Sequence, residues 1–461
     1  MTASPEICQF FHVQARHLIL LGMVIAASVP ACKMETGTRQ DRPNIILILA
    51  DDLGYETLGA YGGRSYSTPM LDRLARQGIR FDHAYSQPLC TNTRVQLMTG
   101  RYQHRYWRGF GILPKGERTF GHLMQEAGYR TLISGKWQLH SYDPVDYPGA
   151  AVRRGTGMRG ADSGFDEYLL WHAWHTEDKG SRYADPTYDL NGKMVREQTG
   201  AYGPDLFVEY INDFVERNRD GPFFVYYPMA LPHDPFVPTP DSPQWREDSR
   251  RHEQDKAYFA DMVAYMDKLV GSIVANLDRL DLRRRTLVLF YADNGTHRMI
   301  SSQLGNRTVQ GGKGKTTDAG TRVPMIASWP GTVPAGVVSQ DLVDSVDIYP
   351  TLAELAGYRL PEEPLIDGAS FADRLLGRNG RSRDWVFMHF EPRPGWDKDK
   401  YSQLTFVRDR QYKLYGNGEL FDVESDVLEA DPIQVSQRTE EQRRITGKFQ
   451  AILERLEGRE E

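Results

Sequence analysis

Residues 44–50 read N-I-I-L-I-L-A, apolar without alternation after the first position. Such a run predicts a strand covered on both faces, as in a parallel sheet. Thr68-Pro69 then opens a helix, with Thr68 as the cap and Pro69 in the first turn. Leu71, Leu74 and Ala75 form its inward stripe, Gly78 ends it, and 79–84 returns as a strand. Further strands are predicted at 131–134, 222–227, 286–292 and 323–329. The clearest helix spans 258–280, where Phe259, Met262, Val263, Met266, Leu269, Val270, Ile273 and Leu277 recur at helical spacing. Another covers 347–356 and closes at Gly357. Strands alternating with helices over some 300 residues predict an α/β class: a doubly wound, mostly parallel sheet flanked by helices. After residue 380 the pattern breaks into short strands at 385–390, 404–408 and 412–415 and a charged helix from about Glu440. The organisation expected is a main domain over 42–380 and a small α+β subdomain over 381–461.

The N-terminus changes the picture of location. Arg16 and His17 precede an apolar run at 18–29, and Ala31-Cys32 follows, the order of a signal peptide over 1–32. The run is short for a bilayer span. V-P-A-C resembles a bacterial lipobox, so Cys32 is a candidate lipid anchor. The protein is expected to be exported: periplasmic, at the cell surface or anchored in the outer membrane. Of three cysteines, Cys8 and Cys32 belong to this segment, which leaves Cys90 alone in the mature fold, either inert and buried or reactive. A net charge of −6 argues against a nucleic-acid partner, since phosphate binding needs a basic surface.

Two predicted strands run into acids, Asp51-Asp52-Leu53-Gly54 and Asp293-Asn294-Gly295. In an open α/β sheet, sites form at the carboxyl ends of strands. Asp51, Asp52, Asp293 and Asn294 offer oxygen only, which suits Ca²⁺ or Mg²⁺. Gly54 and Gly295 would let the backbone turn sharply beneath the ion. A turn or a helix cap is the ordinary explanation of one such pair, and two in one chain shift the balance toward metal.

The segment P-L-C-T-N-T-R-V-Q-L-M-T-G-R around Cys90 resembles the sulfatase signature, with Cys90, Arg94, Thr99, Gly100 and Arg101 in register. Gly-Lys-Trp-Gln-Leu at 135–139, Pro-His-Asp-Pro-Phe at 232–236 and the glycine- and lysine-rich loop at 311–324 are similar to further motifs of that family, in the same order. The resemblance covers about residues 42–420. It implies an alkaline-phosphatase-like fold and a formylglycine made by oxidation of Cys90, whose hydrate attacks sulfur beside the cation. It implies that Arg94 holds the hydrate and the metal ligands, that Lys136 and Lys313 clamp sulfate oxygens, and that His233 protonates the leaving alcohol or binds the oxygen bridging to it. A formylglycine-generating enzyme is the implied maturation partner.

The chain departs from the family pattern at four points. Asn92 stands in place of the proline that the maturing enzyme reads, Thr93 in place of serine or alanine, and Asp318 in place of glutamate. Gln138 replaces a histidine associated with sulfate release, and His140 is the nearby candidate to serve instead. For the substrate, expected to be a sulfated saccharide or an aryl sulfate, the candidates are Gln138, His140, Trp171, His172 and Arg393, with Arg101, Arg105, His389 and Trp396 behind them. Core packing is the bland reading of each aromatic. A phosphoester or phosphonate hydrolase on the same fold, and a non-catalytic binding protein, are the competing readings.

Overall fold

The apolar run at 44–50 becomes a strand, Asn44–Ala50, in which every residue is buried. The computed structural model describes residues 42–380 and 382–458, so the expected signal segment and Cys32 lie outside the described residues. In chain order the strands are β1 (Asn44–Ala50), β2 (Ile79–Tyr85), β3 (Arg130–Lys136), β4 (Glu167–Trp171), β5 (Tyr188–Leu190), β6 (Lys193–Val195), β7 (Phe223–Pro228), β8 (Thr286–Ala292), β9 (Ser301–Leu304), β10 (Arg307–Gln310), β11 (Met325–Ser328), β12 (Val337–Asp344), β13 (Val386–Phe390), β14 (Leu404–Arg408), β15 (Tyr412–Tyr415) and β16 (Leu420–Asp422).

Ten of these form one sheet in the order β12-β2-β11-β8-β1-β7-β3-β4-β5-β6. The central run β8-β1-β7-β3-β4 is parallel throughout, so its five carboxyl ends share one edge. β11 is antiparallel to both its neighbours, and β5 and β6 close the far edge as an antiparallel pair. Helices flank the sheet, the longest being Tyr258–Arg279, whose predicted stripe is buried. β9 and β10 make a separate hairpin.

One local prediction is corrected. Thr68 does not cap the helix Pro69–Arg76 with its side chain. Its hydroxyl accepts from Gly59 N and donates to Asp72 instead. The free N–H groups of Met70 and Leu71 are taken by the Asp267 carboxylate at 2.9 and 2.8 Å, from the long helix packed alongside. A tertiary contact replaces the local cap, and both satisfy the same orphan donors.

The C-terminal section forms a second, antiparallel sheet, β13-β14-β15-β16, packed under the helix Glu440–Glu457. Phe387, Val407, Leu414, Leu420, Phe449 and Leu453 make its small core. Thr439 caps the helix through a reciprocal bond with Gln442, which fixes where it begins.

Candidate active site

The parallel strands deliver their last residues to one place. β1 ends at Asp51 and Asp52, β3 at Lys136, β4 at Trp171 and His172, and β8 at Asp293 and Asn294; His233 follows β7. β2 leads to the helix Cys90–Thr99, and Cys90 is its first residue, buried and not disulfide-bonded. Gly100, left-handed at φ 68°, ends that helix where a Cβ would lie 2.7 Å from that of Tyr349.

Charges are densely matched here. Lys136 Nζ donates to both oxygens of Asp51, at 3.0 and 2.8 Å. Arg94, wholly buried, donates through Nε and Nη2 to Asp293 Oδ2, both at 3.0 Å, and through Nη1 to the Lys136 carbonyl at 3.1 Å. Its Nη2 is also 3.5 Å from Asp51. Lys313 reaches Asp52 Oδ2 at 2.5 Å and His233 Nε2 at 3.0 Å. Asn294 Nδ2 donates to Asp52 Oδ1 at 2.8 Å.

Burial would raise the Asp51 carboxyl, but Lys136, His233, Arg94 and Arg182 outweigh it and hold it well below the ordinary range. Asp293 goes the other way: burial and the Asp51 charge push it up to about 7, against the pull of Arg94 and Lys136. His233 is pushed down to about 4, by burial first, with Asp52 opposing and Lys313 adding to the fall. Its Nδ1 lies 2.6 Å from the Asp234 carbonyl, which can only accept, so Nδ1 carries the proton and Nε2 presents a lone pair to Lys313.

Three side-chain carboxylates and one amide oxygen fit a hard divalent cation. Asn294 Oδ1 is buried and accepts no hydrogen bond, an orphan acceptor beside Asp52. Asp51, Cys90 and Asp293 each offer a ligand atom within 4.8 Å of one another, and so do Asp51, Asp52 and His233. Asp293, pushed up by burial and by its neighbour's charge, is the carboxyl that a cation would relieve.

The backbone also differs from expectation. Asp52, not a glycine, makes the left-handed turn after β1, at φ 65°, and Gln138 and His172 do the same after β3 and β4, at 56° and 53°. Three such residues at the carboxyl ends of the central strands are costly, at about 1–3 kcal/mol each, and cluster where sites are built. Gly295 answers a different need, since a Cβ there would lie 1.9 Å from the Ala319 carbonyl.

Among the substrate candidates, Gln138 faces the nucleophile position, with Cys90 Sγ 3.9 Å from its Oε1. His140 does not: its Nδ1 bonds the Gly157 carbonyl at 2.9 Å, and its ring packs on Trp174 and His175. Trp171 is core, with its indole donating to the Gly180 carbonyl, and His172 is likewise buried. Arg393 is spent on Glu391 at the surface, and Arg101 and Arg105 on Glu117 and Asp367. These arginines answer carboxylates of the chain itself, a pairing that residue type alone does not reveal.

Two cations that sequence reasoning missed do arrive. Arg182 stacks 3.9 Å over Trp171 and brings Nη1, buried and without a hydrogen bond, to 3.7 Å from Asp51 Oδ2. Lys398 comes from the C-terminal section and packs on Phe110 and Tyr142, in the apolar cluster that includes Cys90. Both lie on irregular segments far along the chain from the strand ends, with no local motif to mark them.

Comparison with known proteins adds an independent finding. The family model described as Sulfatase matches residues 43–358, and that described as N-sulphoglucosamine sulphohydrolase, C-terminal, matches 313–458. Human arylsulfatase A is 32% identical over 407 residues, covering 81% of this chain and 74% of that protein. The N-acetylgalactosamine-6-sulfatase of Canis lupus familiaris is 32% identical over 368 residues, covering 73% and 66%. Among solved structures, BT4656 in complex with its substrate D-glucosamine-2-N,6-O-disulfate superposes with a TM-score of 0.72 at 21% identity, over 91% of this chain and 99% of that one.

Proposed function

This chain belongs to the sulfatase family and is a sulfuric ester hydrolase, and we propose that it removes sulfate from a carbohydrate using an oxygen nucleophile made from Cys90. The convergence of Cys90, Arg94, Lys136, His233 and Lys313 with Asp51, Asp52, Asp293 and Asn294 on one sheet edge carries this reading. The carbohydrate follows relatives named for amino-sugar sulfates.

Asp51, Asp52, Asp293 and Asn294 would hold a divalent cation, Ca²⁺ or Mg²⁺, which supplies Lewis-acid polarisation of a sulfate oxygen. Formylglycine at position 90, made by a formylglycine-generating enzyme, would supply a hydrate oxygen as nucleophile. The remaining work belongs to the chain. Arg94 orients Asp293 through two donors and ties β3 to the same point. Lys136 and Lys313 are fixed positive charges that need no reorganisation to meet a sulfate. His233 would bind the oxygen bridging to the leaving alcohol and, once protonated from solvent at Nε2, give it that proton, while Lys313 keeps its charge. We place the protein outside the cytoplasm on the strength of its N-terminal segment.

Assay of the native protein on 4-nitrophenyl sulfate and 4-nitrophenyl phosphate, with mass spectrometry of the Cys90 peptide, tests the reading. Sulfate hydrolysis with a peptide lighter than the thiol form is expected. Preference for phosphate, or full activity with an unmodified thiol, defeats it. Gln138 beside Cys90, where a titratable histidine would stand, favours a second reading of binding without turnover; an unconverted, inactive native protein would select it.

A further inference from the structure

Three lysines are buried among the described residues: Lys136, Lys413 and Lys398. Two have their counter-charge within the chain. Lys136 donates to Asp51, and Lys413 donates to both oxygens of Glu429, at 2.8 and 3.1 Å, and to the Thr316 carbonyl at 2.6 Å. Lys398 has no carboxylate partner among the described residues. Its one side-chain hydrogen bond is long, 3.4 Å to the Tyr142 hydroxyl. The adjacent Asp397 is paired with Lys400 instead.

Lys413 and Lys398 make a natural control pair. Each ammonium lies on two aromatic rings: Phe406 at 4.0 Å and Tyr415 at 4.7 Å for Lys413, Phe110 at 4.2 Å and Tyr142 at 5.0 Å for Lys398. Aromatic faces attract a cation, but that attraction is weaker than the cost of taking an ammonium out of water. Lys413 makes up the difference with Glu429. Lys398 has no such partner among the described residues, and the rings it lies on belong to the apolar cluster that includes Cys90. Burial lowers the pKa of both ammoniums to about 8, so it is the missing partner and not the titration that sets Lys398 apart.

We propose that Lys398 is a substrate-contacting residue whose missing counter-charge is the sulfate bound beside position 90. Resting on the sulfatase reading, this adds a cation from the C-terminal section to Lys136 and Lys313 from the main sheet. The sulfate is then gripped from both sides of Cys90, and the C-terminal section becomes part of the site, not a covering for it. Phe110 and Tyr142 hold the ammonium in place and keep water from it.

Calorimetric titration of inorganic sulfate into the full-length protein with calcium present tests this, alongside KM for 4-nitrophenyl sulfate. Lys398→Met should weaken sulfate binding and raise KM at least tenfold, Lys398→Arg should recover most of the loss, and both should melt no lower than the parent. Lys413→Met, which strands Glu429, should melt well below it. Unchanged sulfate affinity and KM in Lys398→Met would overturn the proposal. A Lys398→Met protein that melts several degrees below the parent would overturn it too, by making the lysine structural. A parent that hydrolyses the aryl sulfate while Lys398→Met matches it sinks only this inference; a parent that neither binds sulfate nor cleaves the ester sinks the sulfatase reading and this one with it.

Discussion

Arg408 and Lys413 in the C-terminal sheet are as deeply buried as Arg94 and Lys136 at the carboxyl edge of the main sheet. Their surroundings differ. Arg408 pairs with Asp318 and caps carbonyls of Asp409 and Arg410, while Lys413 and Tyr415 share Glu429. The charges in that region are answered locally. At the sheet edge the matching is crowded yet incomplete: Asp293 is pushed up by burial and by Asp51, Asn294 Oδ1 accepts nothing, and an Arg182 nitrogen donates to nothing. Complete pairing marks charge used to hold structure, and incomplete pairing marks charge held in readiness for a ligand.

The sharpest break of that contrast is Cys90→Ala. Activity should fall to background while melting and metal content stay near parental values; residual turnover in a purified variant would remove Cys90 from the chemistry. Next, Asp318→Ala strands Arg408 and should cost about 3–5 kcal/mol of stability, read by denaturant unfolding. A stable Asp318→Ala protein would mean that the C-terminal charges are no more structural than those of the site. Lys313→Ala should do the reverse, melting like the parent and losing on the order of a hundredfold in rate, about 3 kcal/mol of transition-state stabilisation. Chelation of divalent ions should lower both activity and melting temperature, and calcium at about a hundred times its Kd should restore about 2.7 kcal/mol. Asp293→Ala should not respond to calcium, and restoration by zinc alone would argue for a different ligand set. The smallest effect concerns Asn92→Pro in a host with the aerobic maturing enzyme. The converted fraction should rise severalfold by mass spectrometry, offset in part by loss of the Asn92 Nδ2 bonds to Gln103 and the Glu391 carbonyl. The backbone should tolerate the change, because the third residue of a helix has no intrahelical acceptor for its N–H.

The central strands were legible because burial on both faces leaves an unbroken apolar run, as in β1 and β8. β5, β6 and β16, three residues each, leave no such trace. The direction of β11 was not legible either, since parallel and antiparallel pairing use the same side chains. Metal-ligand candidates could be read because they sit at strand ends with fixed chemistry. Arg182 and Lys398 could not, because an irregular segment carries no period from which to infer where its side chain goes. Arg393 and Arg105 show the converse error: a residue of the right type was assigned to a ligand although a carboxylate of the chain had already taken it.

Cys90 is 4% exposed, and the nine residues that follow it in its helix are all buried. An enzyme that had to bind this stretch as an extended peptide could not do so in the folded protein, where the stretch is a buried helix. Were Cys90 converted to formylglycine by such an enzyme, the conversion would have to precede folding. Folding would then be a deadline for maturation, and a polypeptide that folded first would keep its thiol.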